Sequence, residues 1–462
     1  MVESGMARTF ITYNPNQAFL LPPDLREWLP SGHLALFVSD VVDALDLRVL
    51  MESYESDSDR GRPPYHPAMM LKLLIYGYCM GKRSSRKIER ATYEEIPYRV
   101  LAGDQHPDHD SIATFRKRHL VAFKALFVQV LLVCAKASLV KLGHVALDGS
   151  KVKANASKHK AMSYGRMCEV ERRLQAEVED LLAEAAAADT REASEPRIGE
   201  ELPAELRRRE DRLVKIRQAK GALEAEARER AAAVQREREA AERASGRKKR
   251  GRKPRGDGPG SARPDDKAQR NLTDPDSRIM KDGATKAFEQ AYNTQVVVDS
   301  HAQVIVATAV TQEANDKQQL VPMLERVKVN LGKLPERLSA DTGYFSEAAV
   351  TAAAIRDVDL YVATERQRHG ADAAVSPSPN AQCGTTRVRE QMRAKLQSPE
   401  GQAVYRRRKA IVEPVYGQVK EVQGFRRFLL RGYENVCGEW PIACLCHNLL
   451  KLFRAQRCLA MA

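Results

Sequence analysis

A chain of 462 residues that is 43% apolar can build ordinary globular cores and is too long for one small domain, so disorder throughout is excluded. Lysine and arginine number 75 against 61 acidic residues, a net charge of +14 with a pI near 9.4, which puts a polyanion first among partners, nucleic acid ahead of an acidic membrane surface. The longest apolar run, ALFVQVLLVCA (125–135), is too short to span a bilayer and is interrupted by Gln129, and the N-terminal MVESGMARTFITYNPN lacks the basic start and apolar core of a secretory signal. A cytoplasmic protein without a membrane partner is expected. The eight cysteines include no CxxC pair, and Cys437, Cys444, Cys446 and Cys458 near His447 match no common zinc spacing, so they read as reduced core thiols.

In chain order, residues 1–140 read as helical. HLALFVSDVVDAL (33–45) and HPAMMLKLLIYGYCM (66–80) carry apolar residues at three-and-four spacing. GKRSSRKIERATYEEIPYRVL (81–101) offers Ser84 or Ser85 as a cap and sets Arg83, Arg86, Lys87 and Arg90 close together on it. PDHDSIATFRKRHL (107–120) offers Asp110 as a cap before Arg116, Lys117 and Arg118. Two capped basic helices with a short link suit a helix-turn-helix-like reader of DNA; the competing reading is a bundle with a solvated basic face.

Residues 166–244 change character. Val170, Leu174, Val178 and Leu181 recur on one helical stripe, and Leu206, Leu213, Ile216 and Leu223 on another, amid Glu, Arg and Ala. The break TREASEPRIGEELP (190–203) makes an antiparallel helical hairpin. Beyond it seven of the nine residues from Arg247 to Arg255 are basic: Arg247, Lys248, Lys249, Arg250, Arg252, Lys253 and Arg255. Such a segment cannot bury a core and is expected to attract phosphates nonspecifically.

From 284 the pattern turns α/β. AFEQAYNTQVVVD (287–299) and QVIVATAV (303–310) read as a β-hairpin, NDKQQLVPMLERVKVNL (315–331) as a capped helix, ERLSADTGYFS (336–346) as a strand ending in Asp341, and VDLYVAT (358–364) as another strand. With 143–148 as the first strand, the order gives a mixed sheet covered by helices. Asp148 and Asp341 each end an apolar strand before a glycine-containing turn, LDGSK and ADTGY. Side by side and parallel, such strands hold their tips about 5 Å apart, and two carboxylates that close repel unless a cation intervenes. Further on, YRRRKAIVEPVYGQVKEVQGFRRFLLRG (405–432) is basic and helix-compatible; Glu413, Gly417, Lys420 and Gly424 fall on one helical face, with Pro414 expected to kink or restart the helix.

LDGSKVKANASK, SADTGYFSE and IVEPVYGQVK…GFRRFLLRG resemble the three acidic motifs of the DDE transposases of bacterial insertion sequences. The resemblance is to the branch with a helical insertion after the first catalytic strand and a Glu-x6-Lys signature. HPAMMLKLLIYGYCMGKRSSRKIE, PDHDSIATFRKRH and GEWPIACLCHNLLKL (438–452) are similar to the terminal helical regions of that branch. The resemblance implies an RNase H-like mixed-sheet catalytic domain at 141–160 and 270–462, an N-terminal all-α DNA-binding domain at 1–140, and a helical hairpin insertion with its basic segment at 161–269. It departs at one point. Relatives carry Tyr and Arg seven and four residues before the Glu, where this chain has Arg406 and Lys409, with Tyr405 and Arg408 one residue out of register.

The resemblance further implies that Asp148, Asp341 and Glu413 hold two Mg2+ ions, with Mn2+ as a substitute, astride a scissile phosphate of double-stranded DNA. Lys151, Lys153, Lys409, Lys420 and Arg426 would neutralise phosphates nearby, and Arg83, Arg86, Lys87, Arg116 and Lys117 would grip the duplex. Binding of terminal inverted repeats, strand cleavage and strand transfer by a homodimer or larger complex, nucleoid-associated in a bacterium, is the leading expectation. An RNase H-like nuclease, or a DNA-binding remnant without activity, is the alternative. The loop-like HGADAAVSPSPNAQCGTTRVREQ (369–391) carries no functional reading.

Overall fold

The computed structural model describes residues 24–54, 63–191, 201–245, 262–283, 285–365 and 387–461. Helices α1 (Leu34–Ala44), α2 (Arg48–Glu52), α3 (Pro67–Cys79), α4 (Ser85–Glu94), α5 (Ile96–Ala102), α6 (His109–Arg118) and α7 (Leu120–Lys136) come first. Pro67 opens α3, where its missing N–H costs nothing, and the His66 ring accepts from the Ala68 N–H. The basic stretch 81–101 is two helices, because Glu95 is extended and Pro97 is tolerated only in the first turn of a new helix. Ser84 stands at the cap of α4 without a capping hydrogen bond. Asp108, not Asp110, caps α6: it sits three residues before Ser111, whose N–H it accepts at 2.8 Å, while Asp110 lies inside the first turn.

The main sheet contains β1 (His144–Lys153), β4 (Arg278–Lys281), β5 (Phe288–Asp299), β6 (Ile305–Thr311), β7 (Arg337–Ala340) and β8 (Asp359–Val362). Its order is β4-β5-β1-β7-β8, with β6 also on β5; β4, β1 and β6 run antiparallel to β5, and β7 and β8 run parallel to β1. Runs such as Val145–Leu147 and Val296–Val298 are buried, as strands covered on both faces require. β1 does not end at Asp148. Its pairing with β5 continues through Lys151↔Asn293 to Lys153↔Ala291, while the parallel pairing with β7 stops at Leu147↔Ala340. The alternating SKVK keeps one strand edge occupied after the other is released. The short pair β2 (Ala161–Ser163) and β3 (Gln269–Asn271), like β4, has no apolar run that would have announced it. Helix α10 (Leu320–Leu331) starts at Leu320 rather than at Asn315, and ends at Gly332 with φ +75.

The insertion is a hairpin of α8 (Tyr164–Arg191) and α9 (Glu201–Ser245). Tyr164 donates to Glu224 at 2.8 Å, Lys220 pairs with Glu171 at 2.8 Å and Arg209 with Glu177 at 2.9 Å, an antiparallel ladder. Val170, Leu174 and Val178 are buried, as are Leu213, Ile216 and Leu223 on the other helix, whereas Leu181 and Leu206 are half-buried. Glu226 ties α9 to the sheet region through Arg270 at 2.9 Å and Arg278 at 2.7 Å.

The short α11 (Glu347–Val350) precedes β8; α12 (Arg387–Gln397), α13 (Pro399–Gly417) and α14 (Tyr433–Met461) follow it. Residues 387–391, read as loop from sequence, thus open α12; the rest of that stretch up to 386 lies outside the described residues. Helix α14 packs on α7 and α3, so a single hydrophobic cluster contains Leu73, Val130, Val297 and Leu445. Cys79, Cys134, Cys444 and Cys446 are buried free thiols within it. No single helix among the described residues is long and apolar enough to cross a membrane; α6 and α7 reach that measure only together, across a 73° bend.

This core holds three buried histidines, His119, His144 and His447, and burial pushes each ring down to about 4. The His447 Nε2–H donates to the Gln303 carbonyl at 2.8 Å, which suits the neutral ring. An unfolded histidine takes its proton near 6.5, so between about 6.5 and 4 the unfolded chain binds more protons and stability falls with falling pH. Each ring contributes on the order of 3 kcal/mol to that loss. The raised carboxyls of Asp148, Asp341 and Glu439 act in the opposite sense, so the test is a comparison: between pH 7 and pH 5 the melting temperature of the parent is expected to fall relative to that of a variant with a neutral residue in place of His447, and parallel profiles would remove His447 from the account.

Candidate active site

Where β7 ends and β1 continues, two acids stand side by side. The parallel pairing ends at Leu147↔Ala340, and Asp148 and Asp341 are the residues that follow this last pair on the two neighbouring strands. Asp148 Oδ1 accepts the Gly149 N–H and Asp341 Oδ1 accepts the Gly343 N–H, each at 2.9 Å. The Asp148 side chain is 22% exposed. Burial is the main reason its carboxyl is pushed up to about 7; Arg408 opposes the rise, and Asp341 and Asp316 add to it. Asp341 is raised too, again chiefly by burial.

Helix α13 crosses this strand end. Val404, Ile411, Val412, Val415 and Tyr416 form its buried face, and Arg408 lies on that face, one turn from Val412. Arg408 Nη1 stands 3.7 Å from Asp148 Oδ2, and its guanidinium is 5.8 Å from the Tyr405 ring centre. The Tyr416 hydroxyl lies 3.1 Å from the Asp148 carbonyl and 3.0 Å from that of Thr294. Tyr405 and Arg408, the residues out of register in the sequence, are therefore the ones turned inward, and Arg406 and Lys409 are exposed. Lys409, expected to meet a phosphate, lies on the solvent side of the helix and Arg408 on the side of the acids.

Glu413 is exposed on α13 and makes no hydrogen bond or ion pair with the described residues. The expected face of Glu413, Gly417, Lys420 and Gly424 does not form. The helix passes through Pro414 but gives way at Gly417 to a wider π turn, Gln418–Val422, and Gly424 lies beyond it at φ +63. The π turn aims Lys420 at β1, where Nζ donates to Ser150 Oγ at 2.6 Å and to the Lys151 carbonyl at 3.0 Å. Burial lowers both Lys420 and Lys151.

The acid that does join the pair is Asp316, in the turn before α10. Its Oδ1 accepts from Asn293 Nδ2 and Gln295 Nε2 at 2.6 Å each and lies 3.8 Å from Lys151 Nζ. Tyr344 donates in turn to Gln295 Oε1. In the sequence, EANDKQQ presents Asp316 as part of a helix start, and only the structure shows it turned inward. Among the described residues no three His, Cys, Asp or Glu side chains gather closely enough to hold a metal ion unaided.

The other basic residues divide. Arg83 and Arg116 were expected on DNA but are spent inside the protein: Arg83 donates to the Arg427 and Gly424 carbonyls at 3.0 and 2.7 Å and lies over Phe425, and buried Arg116 donates to the Arg83 carbonyl at 2.7 Å. Charge patterning could not show which side of α4 and α6 faces the core. Lys153 pairs with Glu289 at 3.0 Å and Arg426 with Glu421. Arg86, Lys87 and Lys117 are exposed, and 247–255 lies outside the described residues.

Residues 23–118 match the family model of a transposase domain (DUF772), and residues 366–453 match that of a transposase DDE domain. No curated protein and no solved structure matches the chain. The two matches enclose α1–α6 at one end and α12, α13 and most of α14 at the other, so Arg408, Glu413 and Lys420 fall inside the second match, and Asp148, Asp316 and Asp341 fall between the two.

Proposed function

We propose that this transposase binds the terminal inverted repeats of an insertion sequence, cuts DNA strands beside them and joins the ends to a target, with Asp148, Asp341 and Glu413 as its catalytic acids. The observation that carries the reading is the juxtaposition of Asp148 and Asp341 by two parallel strands, in a half-buried setting flanked by Arg408, Lys151 and Lys420. The order β6-β5-β1-β7-β8 with β5 antiparallel supports an RNase H-like sheet.

The donor set fits Mg2+ or Mn2+. These ions take hard oxygen ligands, and Mg2+ is commonly held by one or two carboxylates together with substrate phosphate rather than by an all-protein cage. Two desolvated carboxylates on neighbouring strand ends are such a pair, and Glu413 on the solvent side of α13 is the third proposed ligand. When bound, divalent ions supply charge stabilisation to the phosphate and to the attacking and leaving oxygens. The chain's own residues do the rest. Arg408 holds Asp148 toward its ionised form, Lys151 and Lys420 offer positive charge to phosphate oxygens, and Arg86, Lys87 and Lys117 grip the duplex backbone, assisted by 247–255. Two DNA ends held together call for a dimer or larger complex.

The test is incubation of the protein with duplexes carrying the element's own ends. Cleaved and then joined products are expected in Mg2+ or Mn2+, and none in EDTA, with DNA binding retained in both. Cleavage without joining would make the protein a nuclease, and binding without cleavage in any divalent ion would leave only a DNA-binding role.

A further inference from the structure

Asp316 belongs to neither expected motif, yet it lies beside a glycine of each. A side chain at Gly149 would place Cβ 2.9 Å from Asp316 Oδ1 and 2.5 Å from Gln295 Nε2; one at Gly343 would stand 3.4 Å from Asp316 Oδ2. Gly149 is thus needed because the Asp316 carboxylate and the Gln295 amide leave no room for a side chain there, whereas at Gly343 Asp316 lies in ordinary contact and the tighter neighbour, at 3.0 Å, is Asp341 Oδ1 itself. The cradle is built for an anion. Asn293 and Gln295 are fully buried on β5, the strand beside Asp148, and each aims an amide N–H at the same oxygen, with Lys151 behind. The Asn293 carbonyl oxygen is buried against this cluster without a partner.

We propose that Asp316 is a positioning residue of the divalent-ion site, fixing Lys151 and the two glycine turns and supplying a further negative charge that favours a cation between Asp148 and Asp341. The inference rests on the ion-dependent reading above. Carboxylates held one shell out from an ion tune its affinity by roughly 10–100-fold.

Mn2+ binding to the full-length protein without DNA, followed through the paramagnetic signal of free Mn2+, separates the possibilities. Asp316→Asn, the same shape without the charge, is expected to weaken Mn2+ by about 10-fold or more at an unchanged melting temperature. Should that variant not fold, Asp316→Glu and Asp316→Gln, alike in size and differing in charge, give the same comparison, and the glutamate is expected to bind the tighter. Asp148→Asn is the control. If it loses Mn2+ while the neutral and acidic residues at 316 bind alike, Asp316 has no part in the site and this inference alone falls. If Asp148→Asn also binds like the parent, the ion site itself is misplaced and both readings fall.

Discussion

Asp148→Asn is expected to reduce strand cleavage by on the order of 1,000-fold or more while DNA binding is retained and the melting temperature does not fall. The amide keeps the shape of the carboxylate, and its oxygen can still accept the Gly149 N–H, so the local backbone has no reason to move. What disappears is a charge that the protein holds at a cost. Burial pushes this carboxyl up to about 7, and only the Arg408 guanidinium and one backbone N–H oppose the rise as leading causes. A fold does not keep a poorly paired buried charge for stability, since such groups are neutral or unfavourable to it. A divalent ion would reverse that balance, and an amide cannot replace the lost charge toward it. Arg408→Ala should act in the same direction through its neighbour. Cleavage by the Asp148 variant at the parental rate would place the chemistry elsewhere.

Glu439→Ala is expected to destabilise the protein by about 3–5 kcal/mol, the range found when one partner of a buried charged network is removed. Glu439 is fully buried on α14 and is the acceptor that the preceding loop needs. Leu429 N–H reaches its two carboxylate oxygens at 3.1 and 3.0 Å, Leu430 N–H one of them at 3.0 Å, and the Tyr78 hydroxyl donates at 3.4 Å. Arg83 stands 3.9 Å away. Alanine would strand two part-buried amides and a buried hydroxyl, and would remove the negative charge beside the Arg83 guanidinium, which burial already lowers. Glu439→Gln retains one acceptor and should cost much less. Urea unfolding compares the three proteins, with faster amide exchange at Leu429 and Leu430 as the local sign. A midpoint for the alanine variant equal to the parent's would mean that the loop closes on other partners.

The sequence-to-structure agreement follows what a periodic pattern can encode. The hairpin seam at Val170, Leu174, Leu213 and Ile216 was readable because each helix repeats its own apolar stripe, and burial follows the stripe. Asp148 and Asp341 were readable because each follows an apolar run and precedes a glycine-containing turn, and the parallel register that ends at Leu147↔Ala340 sets them on neighbouring strand ends. Arg408 was passed over because a one-residue shift cannot be judged until the buried face of α13 is known. Asp316 was hidden by its resemblance to a helix-start residue, and its role depends on Asn293 and Gln295, which meet it only after β5 has folded beside β1. Arg83 and Arg116 show the opposite failure. Their charge suggested DNA, yet the carbonyls of Gly424 and Arg427 accept from Arg83, and the Arg83 carbonyl accepts from Arg116.

The packing of α14 on α7 and α3 has a consequence for how the protein comes into being. The amino-terminal helices leave their apolar flanks bare until the last-made of the described helices arrives to cover them. A ribosome partway along the message therefore carries amino-terminal helices whose core is unfinished, and prematurely ended chains should be cleared or aggregate rather than persist as folded fragments.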